Sequence, residues 1–232
     1  MYVAKMHYFC PDKPKKSQTM ILKKSLIILI VSLLACSSQA LCQNTHGSQC
    51  CPAEGDTISS TLQFPPMPAK PSGTAWIVIS KKNLTLSVYD RNADGDTLLM
   101  AQFPCCMGKN KGNKVKRGDM RTPESPAGKP FKITMIQNSS MWKHDFHDGR
   151  GNIKAYGHWF LRLETPGHKG IGIHGSTNNE KSVPGRASEG CIRLLDNDII
   201  TLKEHFAYVG MPVTIQAEDQ APFKWETRIR RQ

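Results

Sequence analysis

Hydrophobic and polar positions in the C-terminal two thirds of the chain fall into short alternating runs. Trp76-Ile77-Val78-Ile79-Ser80 and Leu84-Thr85-Leu86-Ser87-Val88-Tyr89 predict two strands joined by a turn at Lys81-Lys82-Asn83. Leu98 to Cys106 predicts a third strand, after a turn over Asn92 to Asp96. That turn faintly resembles a calcium loop, but no Glu closes it at the required distance. Pro130 to Ile136 alternates again, and Gly157–Leu163 and Gly170–His174 predict two more strands. A strand starts at Cys191, and Met211 to Ile215 supplies the closing one. One helix is predicted near the C-terminus, capped by Asp196 or Asn197 and presenting Ile199, Leu202 and Phe206 on one face. Many short strands and one helix indicate a mostly β, sandwich-like domain.

The N-terminal part has no such pattern. Lys23-Lys24 followed by the apolar run Leu26 to Ala35 reads as a secretory signal, too short to span a bilayer, with translation starting at Met1 or at Met20. Leu33-Leu34-Ala35-Cys36 resembles a lipobox, which would lipidate Cys36 and tether the chain to a membrane; the alternative is cleavage after Ala40, behind Ser38-Gln39. Either route predicts export. Residues 1–40 are therefore assigned to the signal, 41–73 to a Pro-rich linker, 74–217 to the domain and 218–232 to a basic, frayed tail.

The 232-residue chain carries a formal charge of +12, of which the six Lys and one Asp in its first 24 residues supply +5, so +7 remains. A basic surface serves either solubility alone or attraction to an anionic polymer or membrane surface, and no stacking aromatics interleave the basic residues as a nucleic-acid module would require. Six of the Lys and Arg lie between Lys109 and Arg121, a Gly-broken loop that is either solvated or a site for substrate carboxylates. If Cys191 is reactive, the five cysteines Cys42, Cys50, Cys51, Cys105 and Cys106 cannot all pair within one chain, and the vicinal Cys105 and Cys106 are expected to pack or to pair with the N-terminal segment.

The chemistry concentrates in the stretch GIGIHGSTNNEKSVPGRASEGCIRL, Gly170 to Leu194. A strand ending in His174 and another starting at Cys191 are the minimum parts of a thiolate nucleophile and its base. The backbone N–H groups of Gly190 and Cys191 are the expected oxyanion donors. His144, Asp145, His147 and Asp148 have the residue types of a zinc site; the Gly-rich run behind them marks a mobile loop, either a substrate-cleft rim or a solvated one, and no metal or cofactor is expected.

His174-Gly175-Ser176 followed by Ser188-Glu189-Gly190-Cys191-Ile192-Arg193 resembles the signature of the L,D-transpeptidases, the YkuD-type catalytic domain. The resemblance continues through Gly108, Gly112, Gly118-Asp119, Arg121-Thr122-Pro123-Glu124, Tyr156 to Phe160, Asn197-Asp198-Ile199 and Gly210 to Val213, covering Thr74 to Gln216. It departs at Glu189, where the family carries a second His. It implies a YkuD-like β-sandwich with a short C-terminal helix. It further implies acyl transfer by Cys191 and His174 from peptidoglycan stem peptides to a second stem, to water or to a protein amine. Arg193, Ser188, Glu189, Gly175, Ser176 and Tyr156 are the expected substrate contacts. Two alternatives stand beside it. A papain-like endopeptidase is disfavoured because His174 precedes Cys191; an inactive wall-binding lipoprotein of the same fold is motivated by Glu189.

In that motif Glu189 has two expected placements. It either accepts a hydrogen bond from His174 or faces the cleft to meet an acceptor's ammonium, the placement favoured because residues two apart in a strand-like turn share a face.

Overall fold

The structure, a computed structural model, describes residues 64–229. The signal segment, the Cys36 lipobox and Cys42, Cys50 and Cys51 lie outside the described residues. Among those residues no helix is long and apolar enough to cross a membrane.

The strands in chain order are β1 (Trp76–Ser80), β2 (Thr85–Arg91), β3 (Thr97–Pro104), β4 (Cys106–Gly108), β5 (Phe131–Asn138), β6 (Lys143–Asp145), β7 (Asn152–Lys154), β8 (Trp159–Leu163), β9 (Gly172–His174), β10 (Gly185–Ser188), β11 (Ile192–Arg193) and β12 (Pro212–Gln216). The helices are α1 (Asp196–His205) and α2 (Lys224–Ile229). Ten strands form one mixed sheet in the order β10-β4-β11-β9-β8-β5-β12-β1-β2-β3, and β6 with β7 forms a separate hairpin. β5 belongs to both halves: it pairs with β12 near Phe131 and with β8 from Ile133 to Asn138, with a register shift between Ile133 and Met135. One core collects side chains from both halves, among them Ile77, Leu86, Ile133, Leu161, Ile173, Ile192 and Val213, all fully buried. Each such aliphatic side chain contributes roughly 2 kcal/mol on removal from water.

The predicted strands are present with shifted ends. Pro104 closes β3, and the chain restarts as β4, an interior strand between β10 and β11. Cys105 and Cys106 are therefore fully buried, and both are free thiols. Ile199, Leu202 and Phe206 form the buried face of α1 and its end, as the periodicity indicates. The tail does not simply fray. Trp225 of α2 packs edge-on against Trp76 and Tyr89 at 5.8 and 4.7 Å, and Phe223 stacks on Trp225 at 5.4 Å.

Two lysines depart from their expected surroundings. Lys81, in the β1–β2 turn, is 1% exposed; its ammonium donates to the carbonyls of Gly112 and Thr122 at 2.9 and 2.6 Å and pairs with Glu124 at 2.7 Å. Burial lowers its pKa although Glu124 supports the charge. Lys114 is likewise buried, on Asp119 at 2.8 Å. The Lys109–Arg121 segment is thus held by internal ion pairs rather than solvated throughout.

Candidate active site

Cys191 sits in the turn between β10 and β11. Gly190 there has φ +138°, and a Cβ on it would lie 2.7 Å from the Arg121 carbonyl, so the turn admits only glycine. Ser188 laces this turn: its buried hydroxyl donates to the Cys191 carbonyl at 2.6 Å and accepts the Gly190 N–H at 3.1 Å. The Gly190 N–H expected in the oxyanion hole is therefore already engaged. The Cys191 thiol donates to the Gly170 carbonyl at 3.4 Å. Although the residue is partly open to the cleft, the surrounding protein desolvates its sulfur and pushes the thiol pKa up. The Gly172 amide, Arg193 and Lys114 favour the thiolate, and Glu189 opposes it.

β9 and β11 run parallel, with Ile173 opposite Ile192 and His174 opposite Arg193. This register carries the His strand end past the nucleophile turn. His174 is 3% exposed, stacked 5.6 Å from Phe160 and 4.9 Å from Tyr156. Its Nδ1–H donates to the Gly175 carbonyl at 2.7 Å, which leaves the Nε2 lone pair to act as base. Burial, and then the nearby Arg193 charge, lower the imidazole pKa to about 3 against the Gly175 hydrogen bond. The resting pair is a neutral thiol beside a neutral imidazole. The Gly175 carbonyl is held in turn: the Gly175 N–H donates to Tyr156 O at 2.8 Å, and Asp196 accepts the Ser176 N–H at 2.7 Å and the Thr177 hydroxyl.

His174, Cys191, Arg193, Ser188, Glu189, Tyr156, His144 and Phe146 line one narrow cavity of about 50 Å³. Larger lobes flank it. One, of about 390 Å³, includes Cys191, Tyr156, Arg117, Arg162 and Lys169; the other, of about 340 Å³, includes Arg193, Ser188, Phe146, Asp148 and Arg150. Glu189 lines all three volumes.

The family model for YkuD, the L,D-transpeptidase catalytic domain, matches residues 74–215. The chain belongs to this family. The comparison with curated proteins gives no match. Among solved structures the chain is similar to Bdellovibrio bacteriovorus Bd1075 (20% identity, 71% of this chain, 58% of that one, TM-score 0.46). It is also similar to an L,D-transpeptidase from Mycobacterium smegmatis (21% identity, 62% of this chain, 58% of that one, TM-score 0.43). A third is the helical cell shape determining protein Pgp2 from Campylobacter jejuni (19% identity, 68% of this chain, 52% of that one, TM-score 0.45). The chain thus spans between about half and three fifths of these proteins.

Where this YkuD domain departs from the family signature, a histidine from elsewhere in the chain takes up the position's partner. Glu189 is 3.3 Å from His144 Nε2 on the β6–β7 hairpin and faces the cleft. His174 gives its Nδ1–H to Gly175 rather than to Glu189, a residue that lines the cleft. His144, Asp145, His147 and Asp148 do not converge: Asp145 accepts the His147 N–H at 2.7 Å, and Asp148 holds Arg150 at 2.7 Å. No cluster of three metal-ligating residues occurs among the described residues. Ser176, an expected substrate contact, is fully buried with no partner for its hydroxyl, and it acts through its backbone on Asp196.

Asp196, expected as a helix cap, has a different task in the structure. Leu195 occupies the cap position and the carboxylate turns back to the His174 loop. His144 belongs to the segment expected either at the cleft rim or in solvent, and the structure places it in the cleft beside Glu189.

The basic segment separates into two kinds of cation. Lys111, Lys116 and Arg117 are exposed, whereas Lys114 is bound to Asp119. Burial opposes the Asp119 charge, but hydrogen bonds from Lys114 and the Lys116, Val115 and Arg121 amides outweigh it and hold that carboxyl well below its usual range. Neutralising Lys111, Lys116 and Arg117 together is expected to raise KM for an anionic stem several-fold at low salt, with kcat kept. Lys114→Gln is expected to cost about 3 kcal/mol of stability, because it strands a buried carboxylate. Steady-state kinetics against ionic strength and urea melts check the two; a KM unmoved by the triple change would leave those cations without a substrate role.

Proposed function

We propose that this YkuD domain is a peptidoglycan L,D-transpeptidase that transfers a stem-peptide acyl group through Cys191. The observation that supports it best is the shared cavity of Cys191 and His174, with the imidazole's Nδ1 occupied by Gly175 so that Nε2 remains for the thiol.

In the first half-reaction, Cys191 Sγ attacks the carbonyl that follows the L-centre of the third stem residue, and the thiol proton passes to His174 Nε2. The Gly172 amide beside the sulfur supports the developing thiolate. With the Gly190 N–H held by Ser188, the Cys191 amide is the oxyanion donor in this reading, and such a donor contributes about 3 kcal/mol to the transition state. The tetrahedral intermediate collapses, His174 Nε2 returns the proton to the departing D-Ala amine, and a thioester remains. A second stem's amine then gives a 3→3 cross-link, water gives carboxypeptidase activity, and a protein amine gives an anchor.

A purified domain incubated with a disaccharide-tetrapeptide is expected to release D-Ala and to gain the acyl mass, and a carbapenem is expected to add its own mass. Absence of both adducts would point to a wall-binding protein of the same fold. Such an enzyme works in the cell envelope. Residues 1–40, read from the sequence as an export signal, fit that location, and the mass of the mature N-terminus distinguishes lipidation at Cys36 from cleavage after Ala40.

A further inference from the structure

We infer that the lobe holding Arg193 is the amine-side subsite, in which Arg193 binds the α-carboxylate and Glu189 the ammonium of an α-amino-acid head group. The inference rests on the acyl-transfer reading above and assigns the two specificity-determining residues for its second substrate.

Arg193 is the first observation. It is 4% exposed, its Nε has no hydrogen-bond partner, and its Nη1 reaches only Ser182 Oγ at 3.5 Å. Its guanidinium lies over the Phe146 ring at 5.1 Å, and it forms no ion pair among the described residues. A buried cation without an anion is costly, and a carboxylate with two oxygens matches the guanidinium fork. Arg150, in the same lobe, is already neutralised: Asp148 accepts from its Nε at 3.0 Å and its Nη2 at 2.7 Å. Lys109 also lines this lobe but is solvent-exposed, so Arg193 is the buried cation left to answer a ligand's carboxylate.

The second observation is where the proton carrier sits. His174 lies opposite Arg193 in the β9–β11 register. The narrow cavity around His174 shares Phe146, Ser188, Glu189 and Arg193 with this lobe, but only Tyr156, Glu189 and Cys191 with the other. An amine that exchanges a proton with His174 while its carboxylate meets Arg193 therefore lies on this side. Glu189, half-exposed and 3.3 Å from His144, stands where that amine enters. The opposite lobe, with Arg117, Arg162 and Lys169, suits the carboxylate-bearing donor stem.

Microscopic reversibility joins the two half-reactions. The leaving amine takes its proton from His174 Nε2 and the attacking amine gives one to it, so both occupy one place. An ammonium entering beside Glu189 loses one proton to solvent through the open cleft. The amine nitrogen then attacks the thioester carbonyl, the C–N bond forms and the C–S bond breaks. The second proton passes through His174 to Cys191 sulfur, which regenerates the thiol.

The test compares D-alanine with D-alaninamide as acceptors for the acyl-enzyme formed from the disaccharide-tetrapeptide, with concentrations expressed as free amine. Wild-type protein is expected to prefer D-alanine about tenfold, Arg193→Lys to keep part of that preference, and Arg193→Gln to lose it. Glu189→Gln is expected to slow transfer to both acceptors while the preference remains. Equal KM values for the two acceptors with wild-type protein, which needs no variant to fold, would overturn the assignment, as would an unchanged preference in Arg193→Gln. Failure to form any acyl-enzyme would overturn the transferase reading and this inference with it. That result is distinct from an acyl-enzyme that treats both acceptors alike.

Discussion

Replacing Cys191 with alanine is expected to abolish acyl-enzyme formation and to lower turnover by on the order of 10⁵-fold, since the covalent step has no other carrier. The comparison that gives this meaning is with the other described thiols. Cys105 and Cys106 are fully buried around β4, and burial raises the Cys105 thiol far above its ordinary range, with Cys106 adding to the shift. Both are closed off from solvent whereas Cys191 is partly open to the cleft, so a substrate carbonyl reaches only Cys191. Cys105→Ala and Cys106→Ala are therefore expected to keep the carbapenem adduct and to cost about 1 kcal/mol of stability each. Intact-protein mass spectrometry reads the adduct. An adduct persisting on Cys191→Ala would remove Cys191 from the nucleophile's role.

His174→Asn is expected to slow acylation by about 10³-fold, the usual contribution of a positioned general base. It should also change how stability depends on pH. Folded His174 has its pKa lowered to about 3 by burial and by Arg193, whereas an unfolded His titrates near its ordinary value of 6.5. As pH falls below 6.5 the unfolded chain takes up a proton that the native state refuses, so stability present above 6.5 is lost on acidification. Between pH 7 and pH 5 this loss is ~2 kcal/mol, and it continues towards pH 3. Denaturant melts of the wild type and of His174→Asn should differ by that slope; parallel pH profiles would show that the native imidazole titrates normally. The same lowered pKa predicts a wild-type acylation rate without a break near pH 6.5, since the imidazole is already neutral through that range.

The Glu189–His144 pair shows how a departure from a family signature is read. From the chain alone, a carboxylate two residues before the nucleophile had two placements, and residue spacing favoured the cleft. The choice depends on whether His174 has another acceptor for its Nδ1–H. The Gly175 carbonyl fills that role, and it does so because Asp196 and Tyr156 hold the backbone around it. A neighbouring strand end, a helix start and a loop meet there, from segments far apart in sequence.

Alternation of apolar and polar residues was enough to mark β1, β2, β3, β5, β8 and β12, because a half-buried strand repeats its environment every second residue over a length that can be counted. The reactive pair was legible for a different reason: a His strand end and a Gly-Cys turn are local chemical requirements. Strands of three or four residues such as β4 and β10 offer too few positions for a period, and their pairing is supplied by neighbours elsewhere in the chain. The charged interior was hidden from sequence. Lys81 reads only as a turn residue and Lys114 as part of a loop that is solvated or substrate-binding, because a charge's environment depends on what the fold sets against it. Lys81 meets Thr122 and Glu124, Gly112 meets Glu218, and Arg186 meets Glu218 and the Lys81 carbonyl, all through contacts between segments far apart in the chain. A residue's type states what it can bond; which bonds it makes, and whether one is left open as at Arg193, follows only when distant strands are brought to bonding distance.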